Sequence, residues 1–237
     1  MKVRLFYLII ASALIGSCTS SPEQMMSEVL QGAISYHDPA NSWLDIETIK
    51  VNTSTVQYDA DGNELMKLEN EYEFRMKPFF EGKTKWVKDS VTHRVTFDGL
   101  TTSYKMGNNE VLNEGFLQNK RQELQIAFVD IAFPMNHLQV AKSLSYLNKA
   151  KISGNREAEI LELLTKDDKK ISLYFLPESH EVIGYKRKFR DSYEVVNTVE
   201  NDYFDGLLLP RKKEVFASDS LGNHLYLKAI VTYNYLN

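Results

Sequence analysis

The chain has a single cysteine, Cys18, among its 237 residues. A disulfide within one chain is therefore excluded, because no second cysteine exists. A catalytic thiol would need a folded pocket with a positively charged neighbour that lowers its pKa. The residues that follow Cys18 are Thr-Ser-Ser-Pro, which predict a flexible polar tether. Neither explanation fits this cysteine.

The sequence also lacks an excess of positive charge and a long apolar run. Lysine and arginine total 28 against 32 aspartates and glutamates, which gives a formal net charge of -4. Nucleic acid and anionic lipid are bound through basic stripes, so this balance predicts neither contact. The N-terminal apolar run covers residues 5–15, which is shorter than the roughly 20 residues that span a bilayer.

Signatures of catalysis and metal binding are missing as well. The five histidines are scattered, without an H-E-x-x-H pattern or a close pair. No G-x-S-x-G, Gly-rich phosphate loop or C-x-x-C motif is present. The sequence DADGN at 59–63 has its glycine in the wrong place for a calcium loop. We therefore expect a protein that is not an enzyme and that uses no metal and no cofactor.

The N-terminus has the pattern of a secretory signal. Lys2 and Arg4 precede the apolar run, and two small residues follow it. Ile15-Gly16-Ser17-Cys18 resembles a bacterial lipobox, in which the cysteine is acylated and becomes the first residue of the mature chain. The alternative is an ordinary cleaved signal with a cysteine nearby.

The lipobox resemblance implies a signal peptide at 1–17 and a lipidated tether at 18–21. Burial of an acyl chain is worth about 0.8 kcal/mol per methylene, so several chains on Cys18 give a permanent membrane anchor. No acidic residue follows Cys18 directly, which in the Gram-negative sorting rule favours the outer membrane. We therefore expect a protein of the outer membrane that is lipid-anchored and faces the periplasm.

The first folded element is predicted to be a helix. Ser21-Pro22-Glu23-Gln24 has the residues of an N-cap, a proline at the first helical position and a capping box. Asp38-Pro39 ends this helix, because proline disfavours helical geometry in the residue before it. We expect the Asp38 carboxylate to accept from backbone amides there, and His37 to lie at the surface.

A second helical pattern covers residues 116–144. Its apolar residues recur three and four apart, and Pro134 must end or kink the helix. From Ile126 to Met135 the only polar residue is Asp130. Such a helix is predicted to need apolar cover on several sides.

In the rest of the chain apolar and polar residues alternate with a period of two, which is typical of antiparallel strands with one solvent-exposed face. Asp-Gly and Gly-Asn pairs supply the turns, and the two D-x-x-G-N-x-L segments at 59–65 and 219–225 are interpreted as turns too. We predict about ten or eleven strands in a meander. The candidate strands are 44–58, 71–77, 83–97, 101–106, 144–153, 157–165, 170–176, 181–190, 193–203, 210–218 and 225–235.

Three segments resemble the LolA and LolB class of outer-membrane lipoprotein carriers: TFDGLTTSYK, LYFLPESHEVIGYKR and YFDGLLLP. The region around Tyr36–Pro39 and Trp43 is similar to lipoproteins of Bacteroides-type bacteria whose domain has no assigned function. The resemblance implies a mainly antiparallel β fold with helices, in the α+β class. Residues 22–237 would form a single strongly curved open half-barrel, capped by the N-terminal helix and the kinked central helix.

The same resemblance implies a container for an apolar ligand. We expect a non-catalytic envelope lipoprotein that holds a lipid or a lipoprotein acyl chain in its concave cavity. The residues predicted to line that cavity are Phe128, Ile131, Phe133, Met135 and Leu138, although an apolar stripe at helical spacing is normally plain core. The alternative function is a structural or adaptor lipoprotein with a filled core that binds an envelope protein or a glycan.

Overall fold

The structure, a computed structural model, describes residues 21–140, 143–165, 168–189 and 191–236. The predicted signal peptide and the acylation site Cys18 lie outside the described residues. Three helices are present in the described part: α1 (Pro22–His37), α2 (Glu114–Ile131) and α3 (Met135–Val140).

Most of the described chain forms one curved, open sheet of thirteen antiparallel strands. The strands are β1 Thr48–Tyr58, β2 Glu64–Arg75, β3 Glu81–Lys88, β4 Val91–Phe97, β5 Thr102–Met106, β6 Asn109–Glu110, β7 Ser143–Ile152, β8 Arg156–Leu164, β9 Lys170–Phe175, β10 Val182–Phe189, β11 Ser192–Phe204, β12 Leu207–Ser218 and β13 His224–Leu236. The predicted fold class, a curved open sheet with few helices, is confirmed.

The strand order is β6-β5-β4-β3-β2-β1-β13-β12-β11-β10-β9-β8-β7. Strands β1–β6 form one meander and β7–β13 form another. The two meanders are joined where β1 pairs with β13, in a register that includes Val51 opposite Tyr235. The first and last strands of the described residues, β1 and β13, therefore lie side by side in the middle of the sheet.

The number of strands differs from the predicted ten or eleven. The stretch 83–97, predicted as one strand, is two strands, because Asp89 and Ser90 adopt positive φ values of 50° and 63° and turn the chain. Neither residue is a glycine, so the usual sequence signal for this turn is missing. Strand β2 also begins at Glu64, before the alternation that predicted it.

The repeated D-x-x-G-N segments are turns, as predicted. Asp59 accepts hydrogen bonds from the backbone N–H groups two and four residues further on, at 2.9 and 2.8 Å. Asp219 makes the same two bonds at 2.9 Å. Gly62 and Gly222 have φ values of 86° and 92°, which glycine adopts without steric cost. Both segments use the Asx-turn chemistry that the sequence indicates.

Helix α1 begins with the predicted capping box. The backbone N–H of Gln24 donates to Ser21 Oγ at 3.3 Å, and the N–H of Ser21 donates to Gln24 Oε1 at 2.9 Å. At the other end the Asp38 carboxylate accepts from the N–H groups of Ser42 and Trp43 at 2.6 and 3.1 Å. Both predictions for the ends of this helix are confirmed.

The surface position predicted for His37 is wrong, because its side chain is only 1% exposed. The backbone N–H of Val182 donates to His37 Nε2 at 3.0 Å, so this nitrogen carries no proton. His37 Nδ1 therefore carries it and donates to the Leu208 carbonyl at 2.9 Å. The neutral ring connects α1 to two strands that are distant in sequence.

Helices α1, α2 and α3 cover one face of the sheet, which we call the helix side; the opposite face is the outer face. Because β6 and β7 are at opposite edges of the sheet, the chain between them must cross the whole helix side. We call the described part of this crossing segment, residues 111–140, the strap. Its α2 lies over β3, β4 and β5, while α1 lies over β7 and β12 and contacts α3.

Two apolar cores lie between the sheet and these helices. The α2 core contains, among others, Ile49, Val51, Phe74, Val95, Leu124, Ile131 and Met135. The α1 core contains, among others, Val29, Ala33, Phe133, Leu138, Leu161, Leu173 and Tyr185. The helix side is therefore packed against helices and not against a second sheet.

Candidate functional site

Helix α2 covers the sheet but buries little of its own surface. Of its 18 residues, Leu124 and Ile131 are the two that are buried. The ring of Phe128 is partly buried, with its centroid 5.2 Å from that of Phe74, and Ile126 is 43% exposed. We predicted that this helix needs apolar residues packed against several of its sides. For α2 this prediction is wrong, because only one side of the helix packs against the sheet.

The turn between α2 and α3 is the deeply buried part of the strap. Every residue from 131 to 135 is buried. Ile131 and Met135 belong to the α2 core, whereas Phe133 belongs to the α1 core. Pro134 separates the two helices, so the predicted break at this residue is confirmed. The turn connects the two cores in the middle of the helix side.

The five residues predicted to line a ligand site divide between the two cores. Phe128, Ile131 and Met135 pack in the α2 core, and Phe133 and Leu138 pack in the α1 core. Phe133 and Met135 are 0% exposed and Leu138 is 5% exposed. In this structure all five residues therefore pack between the strap and the sheet. Ligand binding at these residues stays a prediction, and it requires part of the strap to move.

A polar cluster attaches the C-terminal end of α2 to the sheet. The Tyr185 hydroxyl donates to Asp130 Oδ1 at 2.7 Å, and Arg187 Nη1 donates to the same oxygen at 3.1 Å. Lys213 Nζ donates to the backbone carbonyl of Asp130 at 2.5 Å. We call these four residues the Asp130 cluster. It connects α2 with β10 and β12.

Glu194 extends the Asp130 cluster across the sheet. Its carboxylate accepts from Arg187 Nε at 3.3 Å and from Lys228 Nζ at 2.5 Å. The Glu194 side chain is 5% exposed, and a buried carboxylate without such partners would be costly. The arginine is therefore held between two carboxylates, one on the strap and one on β11.

Burial and charge act in opposite directions on the groups of this cluster. Burial alone would raise the pKa of Asp130, but Arg187 and Lys213 outweigh it and hold that pKa below its ordinary value. Burial lowers the pKa of Lys213 to about 8, although Asp130 opposes this change. Burial raises the pKa of Tyr185 well above its ordinary value. At neutral pH the carboxylate and both cations are therefore charged, and the tyrosine is neutral.

Sequence analysis did not identify the Asp130 cluster. It noted Asp130 only as the single polar residue of an apolar stretch. The available signal was the period of two in β10, which places Arg187 on the same face as the buried Tyr185. Lys213 carried no comparable signal, since the register between β11 and β12 shifts just before it.

Two cavities stand out, and both lie at the protein surface. One has a volume of about 400 Å³ and lies beside Ser42, Asp45 and Asp205. The other has a volume of about 880 Å³ and crosses the middle of the sheet, next to Asn52 and Asn234. Neither is lined by any of the five predicted ligand residues.

In the part of the chain that the structure describes, none of the helices is long and apolar enough to cross a membrane. No group of three or more histidine, cysteine, aspartate or glutamate side chains in that part of the chain could hold a metal ion.

Comparison with known proteins identifies the fold. No family profile matches the sequence, and no curated protein matches it at a significant level. The structure is similar to a LolA superfamily protein from Nitrosomonas europaea, with a TM-score of 0.52, 11% sequence identity, and coverage of 90% of this chain and 91% of that one. It is also similar to a domain from Vibrio parahaemolyticus provisionally named an outer membrane lipoprotein-sorting protein. That match has a TM-score of 0.50, 7% identity, and coverage of 89% of this chain and 92% of that one.

These similarities extend over almost the whole of each chain, and they agree with the open sheet and the helix-covered face described above. Identities of 11% and 7% carry information about the fold alone. The chain therefore has the LolA-like fold.

Proposed function

We propose that this protein is an envelope lipoprotein that binds the acyl part of a lipid or of another lipoprotein beneath its strap, without catalysis. In this proposal acyl chains on Cys18 hold it in the outer membrane, and the folded domain faces the periplasm. The observation that carries the proposal is the apolar helix side, which a helical strap covers and no second sheet closes.

The helix side is covered by helices and not by a second sheet. This favours ligand entry, because a helix can move away from a sheet more easily than a second sheet can. In a sandwich, the inner faces of two sheets interdigitate across the core. Here α2 contributes two buried residues to the α2 core, at Leu124 and Ile131. Moving α2 away would expose Phe74, which packs against Phe128, and Phe97, which lies beneath Arg121; these rings are 0% and 2% exposed now. These apolar side chains would then accept an acyl chain in place of the helix.

The two ends of α2 differ in how firmly they are held. The C-terminal end carries Asp130 and continues into the buried turn at 131–135. The N-terminal end rests on β5 near Phe116, whose ring packs against Tyr104 at a centroid distance of 5.0 Å. We infer that α2 opens by lifting its N-terminal end while the Asp130 cluster holds the other end in place.

A disulfide between the sheet and the middle of α2 tests this opening. A β-carbon added at Gly82 would lie 3.1 Å from Cγ of Leu124, so Gly82→Cys with Leu124→Cys brings two β-carbons near the roughly 3.5–4.5 Å that a disulfide joins. In residues 19–237, which lack Cys18, we expect the reduced variant to bind N-phenylnaphthylamine with a saturable fluorescence increase. The oxidised variant should bind it at least about tenfold more weakly, because α2 is then fixed to β3.

The same protein measured with and without dithiothreitol is its own control. The single variant Gly82→Cys shows how much the added side chain on β3 changes dye binding by itself. Equal binding by the reduced and oxidised forms would contradict entry beneath α2. If wild-type residues 19–237 bind no apolar dye and carry no lipid by mass spectrometry, the container proposal is wrong as a whole.

Anchoring is tested separately at Cys18. We expect the full chain to fractionate with outer membranes and to yield an acylated N-terminal peptide by mass spectrometry. Cys18→Ser should remove the protein from the outer-membrane fraction, because no thiol is left to acylate. Ser17→Ala changes a neighbouring residue but keeps the thiol, and it should leave the outer-membrane fraction unchanged. Outer-membrane association of Cys18→Ser would contradict lipid anchoring.

One observation favours the alternative function, a structural or adaptor lipoprotein. Phe133, Met135 and Leu138 are packed in the cores as fully as ordinary core residues. In an adaptor the strap would stay closed, and the surface would carry the interaction. The disulfide experiment separates the two functions, because an adaptor whose strap stays closed binds the dye in neither the reduced nor the oxidised form.

A further inference from the structure

The larger surface cavity is a groove on the outer face, on the opposite side of the sheet from the strap. On β1, Asn52 is exposed and Ser54 is half-buried. Their neighbours Val51 and Thr53 are buried on the other face, toward the helices. The groove extends from β3 across β2, β1, β13 and β12 to β11, which at about 4.8 Å per strand is a length of roughly 24 Å.

Two rows of side chains cross this groove in register. In the first row Asn52 pairs with Asn234 on one side and with Glu71 on the other. In the second row Ser54 pairs with Thr232 and with Glu69. The centre of the groove therefore consists of amide and hydroxyl side chains, and carboxylates stand on both sides of it, on β2 and on β11.

The central polar groups have few partners within the protein. In the described part of the chain the Asn52 and Asn234 amides and the Ser54 hydroxyl have no hydrogen bond, and the Thr232 hydroxyl donates to a backbone carbonyl of β1 at 3.3 Å. Each amide offers two donor hydrogens and an acceptor oxygen. The floor thus presents donors and acceptors together, and a ligand hydroxyl needs both.

The charges at the walls are close to balanced. The lining includes four carboxylates and three cations. Several of them pair with each other, as Lys85 does with Glu71 at 2.9 Å and Arg211 does with Glu200 at 4.0 Å. A polyanion such as nucleic acid or an acidic glycan needs an unopposed basic surface, which this groove does not offer.

A peptide strand is also a poor fit. Strands β1 and β13 are central in the sheet, and each forms backbone ladders with neighbours on both sides. Added peptide strands bind at open sheet edges, where backbone groups are free. Recognition in this groove must therefore depend on side chains.

At the rim of the groove, Val87 is 65% exposed and offers an apolar surface to a ligand.

We propose that the outer groove binds a neutral oligosaccharide in an extended conformation. The amides of Asn52 and Asn234 donate to and accept from its hydroxyl groups, and the exposed Val87 contacts the apolar face of a sugar ring. This site does not rest on the proposed function, because the groove and the strap lie on opposite faces of the sheet.

The test uses the full chain, purified from membranes in a zwitterionic detergent that has no sugar headgroup. The probes are linear hexasaccharides of glucose and of N-acetylglucosamine, with a heparin hexasaccharide as the anionic comparison, each followed by isothermal titration. We expect at least one neutral probe to bind at a single saturable site. Asn52→Ala with Asn234→Ala should weaken that binding by about tenfold or more, through the loss of two hydrogen-bonding groups.

Lys50→Ala is the matched control, because Lys50 lies on the same strand and the same face two residues away and does not line the groove. It should change the affinity less than about twofold. The proposal is overturned if no neutral hexasaccharide binds, if the double variant binds as well as the wild type, or if heparin binds more tightly than both neutral probes.

Discussion

Replacement of Asp130 by alanine is expected to lower the free energy of unfolding by about 3 kcal/mol. The change leaves Arg187 without its partner on the strap and removes the acceptor of the Tyr185 hydroxyl. Breaking a buried ion pair by removing one partner costs about 3–5 kcal/mol. The side chains of Asp130 and Arg187 are 24% and 20% exposed. We therefore expect a cost at the lower end of this range. Urea unfolding of residues 19–237 measures the effect.

Two comparison variants show whether the charge or the position matters. Asp130→Asn keeps an acceptor for the Tyr185 hydroxyl and should cost less than the alanine. Glu123→Ala removes an ion pair with Lys120 at 2.7 Å on the exposed side of the same helix, and such surface pairs are worth about 0–1 kcal/mol. If Asp130→Ala costs no more than Glu123→Ala, the cluster does not attach the strap to the sheet.

Acidification from about pH 6.5 to pH 4 is expected to destabilise the protein through two buried histidines. Burial lowers the pKa of both His37 and His137 to about 4, whereas the ordinary value is about 6.5. Between these values the unfolded chain binds a proton at each ring and the folded chain does not. The free energy of unfolding therefore falls as the pH falls, by about 1 kcal/mol per histidine and per pH unit.

His137→Phe separates this effect from the titration of carboxylates. His137 Nδ1 is buried and has no hydrogen-bond partner in the described part of the chain, and its ring packs against Phe133 and Tyr185. A phenyl ring keeps that packing and cannot be protonated. We expect the variant to lose about half of the pH dependence in this window, with little change at pH 7. An unchanged pH profile would mean that His137 is protonated as easily in the folded protein as in water.

Local sequence patterns were sufficient for much of the fold. The Ser21 capping box, the end of α1 at Asp38 and the D-x-x-G-N turns each depend on residues within a few positions of one another, and each was predicted correctly. The curved open sheet followed from the period of two together with the resemblance to the LolA class. Pro134 marked the break in the strap because proline cannot continue a helix.

The features that the sequence did not predict depend on contacts between distant elements. His37 reads as a polar residue at a helix end, and its burial depends on backbone partners at Val182 and Leu208. Asp130, Arg187 and Lys213 come from three elements that only the tertiary fold brings together. The turn at Asp89 and Ser90 was missed for a different reason, since it lacks glycine.

The candidate ligand site was predicted only in part. The spacing of Phe128, Ile131 and Met135 identified an apolar segment, and the structure places that segment at the centre of the helix side. Periodicity could not assign Phe133 to one core and Met135 to the other, because that depends on how the chain turns after Ile131. The outer groove gave no signal, since asparagine, serine and threonine on an exposed strand face are ordinary residues.

The pairing of β1 with β13 also sets the order in which the molecule can be completed. The ladder that unites the two meanders needs the last thirteen residues of the structure, from His224 to Leu236. Until these residues have been synthesised, one edge of β1 has unpaired backbone groups that can pair with a strand of another chain. Contacts between residues so far apart in sequence form slowly. A chain that emerges N-terminus first therefore keeps this edge of β1 unpaired until β13 has been made, and protection of the edge during that interval is a requirement of this topology.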